Sequence, residues 1–164
     1  MRNIFLSLSL VLLASSALAK PIDTKPYSKK LKETLTQIEM KKSLKDISKQ
    51  SGELVSMSKP ILTAFKKVQP ECSAYIDTVL KVADTMTSMP LDKIESDYHA
   101  DKALPKAPSI CHHAKDMLVH PATVVALEKA NAKNKDAKVY QKMLAELVEL
   151  ASHVQVVEVK LASK

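Results

Sequence analysis

From Val139 to Leu161 the apolar residues Val139, Met143, Leu147, Leu150, Val154, Val157 and Leu161 recur at steps of four, four, three, four, three and four. Only a helix brings such positions onto one face, and the run is long enough for about seven turns. The same period holds more loosely between Tyr27 and Ile47, through Leu31, Leu35, Ile38, Leu44 and Ile47. Prolines divide what lies between. Pro60, with Ser58 as its cap, is expected in the first turn of a helix carrying Ile61, Leu62, Phe65 and Val68. Pro70 opens the next, with Cys72, Ile76, Val79, Ala83 and Met86 on its inner face, and Pro90 closes it.

A short helix from Leu91 to Asp97 then leads into a loop, residues 98–108, that holds Pro105 and Pro108. The stretch CHHAKDMLVH, residues 111–120, reads as a helix that Pro121 ends or kinks at His120. A segment from Ala122 to Ala132 and a polar turn from Asn131 to Asp136 precede the final helix. The expected fold is all-α: an antiparallel bundle of four to five main helices with one proline-containing loop. A single glycine, Gly52, argues against hairpin-rich β-structure and against any glycine-rich phosphate loop.

The first residues alter the picture of where this bundle works. Met1-Arg2-Asn3 precedes an apolar run from Ile4 to Leu13, followed by small residues ending Ala17-Leu18-Ala19. This is the pattern of a secretory signal peptide over residues 1–19, cleaved between Ala19 and Lys20. A single domain over residues 20–164 would remain, periplasmic or secreted, with no transmembrane segment in the mature chain. An oxidising compartment makes Cys72 and Cys111, the two cysteines, a disulfide pair rather than two thiolate ligands.

Charge narrows the partners. The formal net charge is +7, and Arg2 is the only arginine, so the mature chain would carry its positive charge on lysine alone. Arginine supplies the planar fork that grips phosphates and guanine edges, and lysine does not. Nucleic acid is therefore not expected as a partner.

The candidate chemistry is in residues 111–120. On a wheel of about 100° per residue, Cys111 shares a face with Ile110, Ala114 and Leu118, which is the core side. His113, Asp116 and His120 fall on the opposite side. His113 with Asp116 and Asp116 with His120 have the i,i+3 and i,i+4 spacing that lets two side chains meet at one ion. His113 and His120 lie about 10 Å apart along the axis, too far for one ion to bridge directly. His99 and Asp101, at the entry to the proline loop, would complete a mixed nitrogen and oxygen set if that loop folds back.

Such a set suits copper or zinc, and a bundle also offers a seat for non-covalent haem. His153 flanks the stripe of the last helix and reads as a boundary residue. No nucleophile elbow, no His-Glu-x-x-His and no phosphate loop occurs, so a binding protein is expected rather than an enzyme. The alternative is a disulfide-stapled protein-interaction module with no metal: an exported chaperone, inhibitor or host-directed factor gripping an unknown protein partner.

Overall fold

The computed structural model describes residues 22–134 and 136–163, so the expected signal peptide and its cleavage point at Ala19 and Lys20 lie outside the described residues. Six α-helices pack against one another, with no strand among the described residues: α1 (Lys25–Glu39), α2 (Leu44–Val68), α3 (Ser73–Met86), α4 (Leu91–Ile94), α5 (Ser109–Asn134) and α6 (Val139–Ala162). Among the described residues no helix is long and apolar enough to cross a membrane.

The helix α5 is the axis of the bundle. It packs against α2, α3, α4 and α6, while α1 closes the bundle by packing against α2 and α6. Every residue from Ala114 to Leu127 is buried. The side that the wheel assigns to solvent is therefore inside the protein, and its polar residues have to find partners there. The helix α6 follows its stripe: Val139, Met143, Leu147, Leu150, Val154 and Val157 are all buried.

Three sequence expectations need correction. The Tyr27–Ile47 pattern is two helices, broken at a turn in which Lys41 adopts φ 48°. The six-residue step from Ile38 to Leu44 is where the period fails. Pro60 does not open a helix but lies inside α2, and Ser58 donates to the Val55 carbonyl instead of capping. Both Pro60 and Ser56, whose carbonyl loses its helical donor to the proline, are on the exposed side of α2 where solvent can serve that carbonyl.

Pro121 does not end a helix either; it lies within α5. Its missing N–H frees the carbonyl of Met117, four residues back, and the buried Tyr27 hydroxyl of α1 donates to that carbonyl. A partner from another helix thus replaces the bond that proline removes.

Cys72, at the end of a single 3-10 turn (Pro70–Cys72), is bonded to Cys111 in the first turn of α5. The bridge joins residues 39 apart, and closing a loop of that length stabilises the fold by about 4 kcal/mol in the chain-entropy account. After α4 the chain widens into a π-helical turn, Glu95–His99, in which the Ala100 N–H reaches back to the Glu95 carbonyl. Such turns often accompany functional positions. Here the turn carries His99 to the edge of α5.

Candidate metal centre

Three elements meet at one end of the polar side of α5. The helix supplies Asp116 and His120, four residues apart; α6 supplies Glu146, Glu149 and His153; the π-turn supplies Glu95 and His99. The His120 side chain is completely buried, and its Nδ1–H donates to Glu146 Oε2 at 2.7 Å. That bond leaves Nε2 as the nitrogen free to bind, and among the described residues Nε2 has no hydrogen-bond partner. His153 Nε2 and Asp116 Oδ1 are likewise buried and without one. Asp116 Oδ1 lies 3.0 Å from Lys115 Nζ, close enough for charge attraction but not aligned as a hydrogen bond.

Ligand atoms of these residues come close to one another. One donor atom each of Asp116, His120 and His153 lies within 4.8 Å of the others, and the same holds for His99, His120 and Glu149. His153 Nε2 stands 3.7 Å from Asp116 Oδ2 and 3.8 Å from Glu149 Oε1. The His120 ring stacks on His153 with centroids 5.2 Å apart, and meets His99 edge-on at 5.0 Å.

Each of these histidines is held by its other nitrogen. Glu95 Oε2 accepts from His99 Nδ1–H at 2.9 Å, Glu146 holds His120, and His113 and His153 share a proton between their Nδ1 atoms at 2.7 Å. A carboxylate behind a metal-binding imidazole fixes its tautomer and orientation and raises its basicity.

The surroundings tune the rings in opposite directions. Burial lowers the pKa of His153, with His120 and His113 adding to the effect against Asp116 and Glu149, so this imidazole stays neutral and available. Burial also acts to lower that of His99. The Glu95 hydrogen bond, with the charges of Glu95, Glu146 and Asp116, outweighs it and raises His99 above the ordinary histidine value.

Of the sequence candidates, the structure brings His99, Asp116 and His120 together. His113 stands behind His153 rather than in either triad. Asp101 belongs to a separate network: it sits at φ 59°, accepts from the Tyr75 hydroxyl at 2.6 Å, and pairs with His112 at 2.8 Å and with Lys115 at 3.0 Å. Lys115 is itself buried and also donates to the carbonyls of Tyr98 at 2.8 Å and His99 at 3.1 Å. That lysine clasps the π-turn onto α5 and so positions His99.

Sequence reasoning missed His153, Glu149, Glu146 and Glu95. The signals were present as Glu95-x-x-x-His99 and Glu149-x-x-x-His153, each an i,i+4 pair on one helical face. Comparison with known protein families, with curated proteins and with solved structures returns no match for this chain. What the chain is remains a helical bundle with one disulfide and a buried histidine–carboxylate cluster able to hold a metal.

Proposed function

We propose that this chain is an exported protein, periplasmic or secreted, that binds a divalent transition-metal ion at His120 and its neighbours. We read it as a binding protein rather than an enzyme. The observation that carries the reading is the His120 side chain: fully buried, fixed through Nδ1 by Glu146, and offering an unpartnered Nε2 to donors from two other residues. A buried polar atom left unpaired costs about 1–3 kcal/mol. Two such imidazole nitrogens, on residues that bring a ligand atom each within 4.8 Å of one another and of an Asp116 ligand atom, make sense if an ion satisfies them.

The donors are imidazole and carboxylate, the borderline set that suits zinc or copper. Donor atoms within 4.8 Å of one another enclose the space of an ion, and the His120 ring is flanked by two other imidazoles. Both features support an ion over a haem, whose macrocycle needs a slot beside its axial ligand. The apolar N-terminal run and the disulfide support export.

Equilibrium titration with zinc and with copper, read by competition against a chelator, tests the reading on the wild-type protein, H120A and H153A. The expected result is one ion per chain, with affinity reduced at least about 10-fold to 100-fold in each variant while helicity is kept. A wild-type protein with no affinity for either ion overturns it.

A further inference from the structure

Resting on that metal-binding reading, we infer that the cluster is two seats in series for one ion: an outer seat of His99, His120 and Glu149, where a zinc or copper ion is taken up, and a deep seat of Asp116, His120 and His153, where it is retained. Both triads have the proximity of a ligand set, and both need His120. Glu146 occupies Nδ1 of that ring, so one nitrogen remains, and one nitrogen serves one ion at a time. The two triads are therefore alternatives.

Exposure orders them. The side chains of His99 and Glu149 are 30% and 58% accessible, against 8% for Asp116 and 12% for His153. A hydrated ion arriving from solvent meets the outer pair first. Glu149 also bridges the seats, since its Oε1 lies 3.8 Å from His153 Nε2. An ion held by His120 and Glu149 can therefore gain the His153 nitrogen before it releases the Glu149 oxygen. Asp116 then takes the vacated position as His99 leaves. Each step exchanges one donor lone pair for another at the ion, with no change of oxidation state, and the ion never loses all its protein ligands.

Stopped-flow mixing with aqueous zinc ion, and release into excess chelator, test this on the full domain. Three variants serve: the outer-seat double variant H99A/E149Q, and H153A and D116N in the deep seat. With H99A/E149Q, uptake and release are both expected to slow on the order of tenfold, as for the loss of one modest interaction in the transition state. Its equilibrium affinity should fall by far less than that of H153A. H153A and D116N should lose affinity, mainly through faster release. Wild-type rates in H99A/E149Q overturn the inference, as do an affinity loss equal to that of H153A or two zinc ions per chain. Each of these outcomes leaves metal binding itself standing. Failure of the wild-type chain to bind zinc or copper removes the underlying reading as well.

Discussion

Replacing Lys115 with methionine isolates the clasp that holds the site together. The lysine side chain is 2% accessible; its Nζ lies 3.0 Å from both Asp101 Oδ1 and Asp116 Oδ1, and it donates to the carbonyls of Tyr98 and His99. Methionine reaches as far as the lysine Cε without its ammonium group, so K115M leaves little cavity, and the cost is chiefly electrostatic. Asp101 keeps the Tyr75 hydroxyl and His112. Asp116 is left beside His153, 3.7 Å away, and the two carbonyls lose the Lys115 donor.

Removing one partner of a buried ion pair costs about 3–5 kcal/mol, because the charge left behind remains desolvated. In a chain of this size that corresponds to a fall in Tm of about 6–20 °C. Urea unfolding followed by far-ultraviolet circular dichroism gives the free energy, and calorimetry the Tm. A loss below about 1 kcal/mol, the scale of an exposed pair, would refute the clasp.

Further expectations follow from the same geometry. Y27F removes the hydroxyl that serves the Met117 carbonyl freed by Pro121, and should cost about 1–3 kcal/mol in urea unfolding; a neutral result would mean that carbonyl is satisfied another way. In the metal-free protein, the lowered pKa of His153 means the unfolded chain takes up a proton before the folded one does. Its contribution is whole above about pH 6.5 and is lost as pH falls toward its folded value. His99, with its pKa raised, acts in the opposite sense: its contribution is whole below about pH 6.5 and is lost as pH rises through the folded value. Urea midpoints measured from pH 7.5 down to about pH 5 should therefore show a flatter acid limb in H153Q and a steeper one in H99Q, and equal slopes would contradict the assignment.

Periodicity made the peripheral elements legible and the central one misleading. The stripe of α6 appears in the structure residue for residue up to Val157, because one face of that helix meets the core and the other meets solvent. Cys72 and Cys111 could be paired because two cysteines in an oxidising compartment tend to join, although Cys72 lies in the 3-10 turn before α3 rather than on a helix face. The α5 helix breaks the logic of the wheel. Packed against α2, α3, α4 and α6, it is buried on all sides from Ala114 to Leu127, so a polar residue there signals an internal partner rather than solvent.

Those partners are far off in sequence: Glu146 is 26 residues from His120, Tyr98 is 17 from Lys115, and Tyr27 is 90 from Met117. No local pattern specifies such pairings. The site was legible to the same extent. His99, Asp116 and His120 could be gathered from spacing and from a loop that folds back. His153 was placed at a boundary because it flanks the α6 stripe, and it is half-buried there, but its Nε2 is turned inward, 3.7 Å from Asp116.

X-ray absorption on the protein loaded with one equivalent of zinc reads the ligand shell itself. Nitrogen and oxygen neighbours at about 2.0–2.2 Å with the outer-shell scattering of imidazole are expected, and are lost in H120A. Sulfur at about 2.3 Å, or the spectrum of hydrated zinc ion, would contradict this.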